Sequence, residues 1–311
     1  MLDLAIILPT LNERGNLAPL IERIEGALGS EGWEVLIIDD DSIDGTADEA
    51  RCLALGDRRV RVIQRIGRRG LASAAIEGFC ATAAPFVAVM DADHQHDPAL
   101  LPQMLESLRA GECDICVASR FAPGASTADW AEPERERLTG LANAIARLIT
   151  GVELSDPMSG YFMLTTAKAR ALVPRLSGIG FKILLDLLAT SDTPMQVREF
   201  PLDFAARREG TSKLDRAIVF DFLAGLYDKA LGRLIPTRFA LFGTVGALGV
   251  IVHMVVLSTL FFGFSKGFAL AQALAVLSAM SFNFWLNNWL TYRDKRLRGW
   301  AKVLRGWAGF C

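Results

Sequence analysis

The sequence predicts an α/β domain built on a mainly parallel sheet, followed by an α-helical membrane hairpin. Three observations predict it. Short runs rich in β-branched residues alternate with helical-period segments about every thirty residues up to residue 200. Acidic or glycine-containing loops follow the runs, as at the carboxyl edge of an open α/β sheet. After residue 238 come two long segments without Asp, Glu, Lys or Arg.

Leu4–Leu8 is the first buried strand, and Pro9-Thr10-Leu11-Asn12-Glu13 is the loop at its carboxyl end. Asn16–Leu28 carries apolar residues at helical spacing. Glu34–Ile38 is the second strand and runs into Asp39-Asp40-Asp41-Ser42-Ile43-Asp44-Gly45-Thr46. There an aspartate can accept from a ribose hydroxyl or a base, or Ser42 or Asp44 can cap the helix Ala47–Leu55. Val60–Ile63 is a third strand, followed by the basic loop Arg68-Arg69-Gly70 and a small-residue helix.

Pro85–Met90 has the length and composition of a central strand, and Asp91-Ala92-Asp93-His94-Gln95-His96-Asp97 follows it. While that loop stays extended, Asp91, Asp93 and Gln95 point one way and His94 and His96 the other. The all-oxygen set suits Mg²⁺ or Mn²⁺ shared with substrate phosphates, whereas zinc would favour the histidines. The bland alternative is a loop of solvated acids in which Asp97 and Pro98 start a helix.

A chain of 311 residues with net charge −2 has no global field for nucleic acid, and no nucleic-acid partner is expected. The mean hydropathy of +0.30 owes its excess to the region after residue 238. Leu4–Leu8 is too short for a signal peptide, so none is expected. Five cysteines show no disulfide framework, which fits a reducing compartment. Cys113-Asp114-Ile115-Cys116 is formally a CxxC. On a strand its cysteines would face opposite sides, so no metal or redox role is expected. No GxGxxG follows the first strand and no GxxxxGK[ST] occurs, which disfavours a Rossmann dehydrogenase or a P-loop ATPase.

Seven motifs come in one order: Pro9-x-x-Asn12-Glu13, Asp39-Asp40-x-Ser42-x-Asp44-Gly45-Thr46, Gly70-Leu71-x-x-Ala74, Asp91-Ala92-Asp93-x-Gln95-His96, Ser119-Arg120-Phe121, Asp156-x-x-Ser159-Gly160 and Arg207-x-x-Gly210-x-Ser212-Lys213-Leu214. Over residues 4–215 this resembles the family-2 glycosyltransferases, in the dolichol-phosphate mannose synthase and polyprenyl-phosphate hexosyltransferase branch. The resemblance implies a GT-A fold, a nucleoside-diphosphate sugar donor, Mg²⁺ or Mn²⁺, and a dolichyl or polyprenyl phosphate acceptor. By motif, Pro9, Glu13 and Asp40 would hold the nucleoside, while Asp91, Asp93 and Gln95 would hold metal and diphosphate. The chain departs from the family at His94, usually Leu, at Asp41, usually Gly or Asn, and at Ala72, usually Gly.

Breaking a sugar–diphosphate bond puts negative charge on the leaving group, which a metal and a cation stabilise. Arg207 and Lys213 can supply the cation, with Gly210 permitting close approach; a solvated basic turn is the alternative. A lipid monophosphate is largely a dianion at neutral pH, so the acceptor needs positioning cations more than a base. Arg120 and Arg135 are the candidates, with Thr139, often Ser in the family, one turn after Arg135, and with Ser159. Asp156 is a catalytic candidate beside Asp93 and Arg207. It could act as a base, orient the acceptor, or only cap a turn before Pro157.

Residues 215–235 have the amphipathic pattern of a juxtamembrane helix, or of a helix packed on the catalytic core. Residues 239–264 and 267–292 each exceed the roughly 20 residues that span a bilayer. Gly243, Gly246 and Gly249 would let the helices approach, and Asn283, Asn287 and Asn288 need partners. Arg238-Phe239-x-x-Phe242-Gly243 and Ser281-Phe282-Asn283-Phe284-x-x-Asn287 are similar to the start of GtrA-like membrane domains. Those usually have four helices and are linked to transfer of glucose or mannose. The chain stops at Cys311, where a third helix would begin, which leaves both a truncated and a two-helix form open.

The expected organisation is a GT-A domain over 1–214, juxtamembrane helices over 215–235 and a GtrA-like domain over 236–311. The expected function is inverting transfer of a hexose, mannose favoured, from GDP-mannose to the lipid phosphate at the cytoplasmic face of the membrane. UDP-glucose is the alternative donor, a glycolipid or growing polysaccharide the alternative acceptor, and a non-catalytic nucleotide-sugar-binding module the alternative class. Homo-oligomerisation is left open.

Overall fold

The computed structural model describes residues 2–125, 146–147, 150–178, 183–203, 237–264, 267–289, 297 and 299–310. Arg135, Thr139, Arg207 and Lys213, with the stretch 215–235, lie outside them. The chain divides into two compact units, Met1–Lys229 and Ala230–Cys311.

In the first unit β1 (Leu4–Thr10) pairs in parallel with β2 (Trp33–Asp39) on one side and β4 (Phe86–Val89) on the other. Beyond β2 lies β3 (Val60–Gln64), also parallel. The expected parallel core is therefore present. On the far side β6 (Phe162–Thr165) runs antiparallel between β4 and β5 (Ile115–Ser119), and β7 (Val197–Pro201) pairs in parallel with β5. The sheet order is β3-β2-β1-β4-β6-β5-β7.

The period of two along β1 divides the core. Leu4, Ile6 and Leu8 face one layer, and Ala5 and Ile7 the other. The first layer comprises α1 (Leu17–Leu28) and α4 (Leu101–Arg109), with Ala50 of α2 (Thr46–Gly56). The second comprises α3 (Leu71–Ala81), α5 (Thr166–Leu172) and α6 (Ile183–Thr190). Small residues on α3 let it lie close to the sheet: a Cβ on Gly78 would come within 2.6 Å of Ile7 Cγ2.

Two local expectations are corrected. The N-cap of α2 is Gly45, in the left-handed conformation, while the Asp44 carboxylate accepts from the Thr46 amide at 3.0 Å. Ser42 bonds back to Asp39 instead of capping. Cys113 precedes β5 and is not part of it, so the CxxC sulfurs lie 3.4 Å apart and not on opposite faces. Burial pushes both thiols up, which leaves neither a ready thiolate.

In the second unit, α7 (Thr237–Ser258) continues through a π-helical turn over Thr259–Gly263, and α8 (Phe268–Trp289) follows. Phe242–Gly263 and Phe268–Trp289 are long and apolar enough to cross a membrane. Only Gly249 of the three glycines serves close helix approach: a Cβ there would run into the Asn283 amide, while Gly243 and Gly246 face open space. Asn288 Oδ1 accepts from the Leu297 amide at 2.9 Å. A third helix is present, α9 (Trp300–Phe310), and its Trp307 indole donates to Ser281 Oγ on α8 at 3.0 Å.

Candidate active site

Strands β1 to β5 run in the same direction, and β6 runs against them, so β6 begins at the edge where the others end. That edge therefore carries, in spatial order, the Arg65–Gly70 segment after β3, Asp40 after β2, Pro9 and Glu13 at β1, Asp91 to Gln95 after β4, Asp156 to Gly160 before β6, and Arg120 after β5. Ligands bind at this edge in open α/β sheets.

At the β1–β2 end, side chains and backbone lace two loops together. The Asn12 amide donates to Ser42 Oγ at 2.8 Å, and the Ile43 amide to Asn12 Oδ1 at 3.1 Å. The Glu13 amide donates to Thr46 Oγ1 at 3.0 Å, and Asn16 Nδ2 to Glu13 Oε2 at 2.6 Å. Partial burial alone would raise the Asp44 carboxyl, but hydrogen bonds from Thr46 and the Arg14 amide hold it below the usual range. Asn12 and Asp41 both have φ of 59°, a conformation that Asn and Asp tolerate better than most residues.

Asp40 is buried. Its Oδ1 accepts from Arg65 Nη1 at 2.6 Å and its Oδ2 from the Gly70 amide at 2.6 Å. Gly70 has φ of 143°, which a side chain rarely adopts. Burial pushes the Asp40 carboxyl above the usual range, against the opposing pull of the Gly70 amide and the Arg65 guanidinium. Arg65 also donates to Ser73 Oγ at 2.5 Å. Its Nε lies 3.3 Å from Glu77 Oε2 without hydrogen-bond geometry.

The loop after β4 is not extended. His94 has φ of 65°, so the strict alternation of its side chains does not hold. His94 Nδ1 lies 3.3 Å from Arg23 Nη1. His96 Nδ1 accepts from the Asp91 amide at 2.9 Å, which puts the ring proton on Nε2, and the ring stacks on Tyr161. One nitrogen of each imidazole is thus engaged by protein. The Asp91 carboxylate is 37% exposed, and a Cβ at Gly160 would come within 3.2 Å of its Oδ2. Asp93 is buried, with Oδ1 accepting from the Gln95 amide at 3.1 Å.

This donor set fits a hard divalent cation. Among the described residues no group of three His, Cys, Asp or Glu side chains forms a closed metal cage. The donor chemistry of Asp91, Asp93 and Gln95, two carboxylates and an amide oxygen, is that of Mg²⁺ and Mn²⁺ and not of structural zinc.

Asp156 is fully buried, and Arg120 grips it with both edges of the fork: Nε to Oδ2 at 2.7 Å and Nη2 to Oδ1 at 2.9 Å. A carboxylate so held is well placed to orient a guanidinium. Ser159 Oγ donates to the Ala118 carbonyl at 2.7 Å, so its one proton is spent on the backbone.

Residues 5–171 match glycosyl transferase family 2, and residues 241–311 match the GtrA/DPMS transmembrane domain. The chain belongs to glycosyl transferase family 2. This glycosyltransferase is 33% identical over 298 residues to the dolichol-phosphate mannosyltransferase of Pyrococcus furiosus, covering 95% of this chain and 82% of that one. It is 35% identical over 234 residues to the enzyme of the same name from Saccharomyces cerevisiae, covering 72% and 86%. It is 33% identical over 221 residues to the polyprenol monophosphomannose synthase of Mycolicibacterium smegmatis, covering 67% and 80%. Its fold is similar to that of glucosyl-3-phosphoglycerate synthase from Mycobacterium tuberculosis, solved with Mn²⁺, UDP and glucosyl-3-phosphoglycerate. That match has a TM-score of 0.53 and 20% identity and covers 73% of this chain and 79% of that one. The GT-A expectation holds, and the transmembrane-domain match with the two apolar helices makes the glycosyltransferase an integral membrane protein.

Two residues at this edge were missed by sequence reasoning. Arg65 stood in an ordinary strand-end context, and Glu199 in an edge strand that no motif marked.

Proposed function

We propose that the enzyme transfers mannose from GDP-mannose to dolichyl or polyprenyl phosphate at the cytoplasmic face of the membrane, with inversion at the anomeric carbon. The observation that carries this reading is the spatial order along the sheet edge: the Asp40–Arg65 pair, then the carboxylates of Asp91 and Asp93, then Arg120 held by the buried Asp156. The names of the mannosyltransferase relatives support the same lipid-phosphate chemistry.

In this reading Pro9, Glu13 and Asp40 bind the nucleoside. Asp91, Asp93 and Gln95 would hold Mg²⁺ or Mn²⁺, which would neutralise the charge growing on the leaving diphosphate. Arg120, with Arg135 and Thr139, places the acceptor phosphate. Arg207 and Lys213 would supply the cation for the charge developing on the leaving diphosphate. An oxygen of the lipid phosphate forms a bond to the anomeric carbon as the bond from that carbon to the diphosphate oxygen breaks, and the nucleoside diphosphate departs with the electron pair. The phosphate is already anionic, so no proton needs removal. Asp156 then orients Arg120 and is not the base.

The test incubates membranes carrying the protein with Mn²⁺, polyprenyl phosphate and labelled GDP-mannose or UDP-glucose, and extracts the lipid. A labelled lipid from GDP-mannose is expected. Label from UDP-glucose alone would move the donor assignment, and no labelled lipid from either would overturn the transfer reading.

A further inference from the structure

We propose that Glu199, on β7, is a positioning residue for acceptor binding: through Ser155 and Ser119 it fixes the two backbone segments that carry Asp156 and Arg120. This rests on the reading that Arg120 binds the acceptor phosphate.

The carboxylate of Glu199 accepts twice from Ser155, from the amide at 3.0 Å and from Oγ at 2.6 Å, both on Oε1. An ionised carboxylate has no proton to give. Ser155 therefore spends its one hydroxyl proton on Glu199. The 2.5 Å contact between Ser119 Oγ and Ser155 Oγ must then carry the Ser119 proton. Ser119 Oγ in turn accepts from the Phe121 amide at 3.1 Å. Every link runs in one direction and ends on the anion, the arrangement in which neighbouring hydrogen bonds polarise one another.

The residues tied by this chain are telling. Ser155 immediately precedes Asp156, and Ser119 and Phe121 flank Arg120. The Arg120–Asp156 fork fixes the pair relative to each other but not the direction in which the pair faces. Glu199 supplies that reference. It sits in the β5–β7 ladder opposite Val117, so its backbone is anchored to the same sheet that carries the carboxylate loop after β4. Misplacement of a binding group by about 1 Å can cost as much as 10²-fold in rate, which makes such a tie functional as well as structural.

The test uses the full-length protein in membranes. Glu199→Ala removes the anchor, and Glu199→Gln keeps an oxygen that can accept from Ser155. Ser155→Ala removes the middle link and serves if Glu199→Ala does not fold. Glu199→Ala and Ser155→Ala should each raise KM for polyprenyl phosphate about tenfold, on the scale of one weakened charge-assisted contact. They should leave the Kd for GDP-mannose with Mn²⁺ within about twofold by calorimetry, and Glu199→Gln should recover most of the acceptor KM. In an Arg120→Ala background Glu199→Ala should add no further rise. A lowered thermal midpoint with unchanged acceptor KM would overturn the proposal, as would an equal loss of donor and acceptor affinity. The two layers separate through Arg120→Ala alone. If it leaves acceptor KM unchanged, the acceptor reading falls and the proposal with it. If it raises acceptor KM while Glu199→Ala does not, only the positioning role falls.

Discussion

Arg65 Nη1 lies 2.6 Å from Asp40 Oδ1, and both side chains are almost fully withdrawn from solvent, at 3% and 9% exposure. The pair joins the ends of β3 and β2, and Asp40 then reaches the Gly70 amide that opens α3. Removing one partner of a buried pair strands the other charge. Arg65→Met should therefore lower unfolding stability by about 3–5 kcal/mol, with Arg65→Lys recovering part of it. Chemical denaturation of the catalytic unit in the detergent-solubilised full chain measures this. A change under about 1 kcal/mol would show that the Asp40 carboxylate is compensated elsewhere.

The same carboxylate sets a pH dependence. Burial holds the Asp40 carboxyl above the usual range despite Arg65 and the Gly70 amide, with the Asp39 charge pushing the same way as burial. The folded state then binds the proton more tightly than the unfolded chain. Its contribution to stability is fully present below the ordinary aspartate value of about 3.9 and is lost as pH rises through the folded value. The stability of the native protein relative to Asp40→Asn should accordingly fall as pH rises from that value. Denaturation midpoints across that range decide it, since a relative stability that rises with pH reverses the sign.

Much of this site was legible in the sequence because it is local. Asp40, Asp91 and Asp93 each follow a β-branched run by one to four residues, and strand period and loop chemistry place them at the edge without knowledge of neighbours. Arg65 and Glu199 were not legible because their roles exist only through partners 25 and 44 residues away. β6 escaped for a similar reason: Phe162–Thr165 is a four-residue run whose antiparallel place between β4 and β5 depends on long-range pairing. The structure also explains one departure from the family pattern. Asp41 has φ of 59°, so the position that usually holds Gly or Asn requires a residue tolerant of the left-handed region.

At the carboxylate loop, Asp93→Ala should cost on the order of 10²-fold or more in transfer rate, and chelation of divalent ions should match it. His94→Leu should leave transfer nearly intact, because Nδ1 of His94 faces Arg23. Since Leu fits a φ of 65° less well than His, the variant should lose about 1 kcal/mol of stability. A transfer assay with labelled lipid product reads the first effect and denaturation the second. Full activity in Asp93→Ala, or its loss in His94→Leu alone, would reverse the ligand assignment.

Gly160 offers a finer probe of the same loop. Its backbone does not need positive φ, so Gly160→Ala should fold. The new methyl would press on Asp91 Oδ2 at 3.2 Å and on His96 Cε1 at 3.3 Å. Displacing that carboxylate by a few tenths of an ångström should lower the transfer rate about tenfold and raise the Mn²⁺ concentration needed for half-maximal rate. The thermal midpoint should hardly move. A midpoint shift with unchanged metal dependence would make Gly160 a packing residue only.

The side of the membrane on which this chemistry occurs follows from where its reagents are. Nucleotide sugars and free Mg²⁺ or Mn²⁺ are cytoplasmic, so the domain before residue 215 should face the cytoplasm. The basic residues agree with this placement: Lys229, Arg233 and Arg238 stand before the first span, and Arg293, Lys295, Arg296 and Arg298 after the second, while the connection between the spans holds only Lys266. Both outer flanks should therefore be inside and the connection outside. A single cysteine at Ser265, in a background with the native cysteines replaced, should react with an impermeant maleimide added to intact cells. One at Asp294 should react only after the membrane is opened. The opposite pattern would place Asp91 and Asp93 on the side that lacks their donor, and the transfer reaction as proposed could not run.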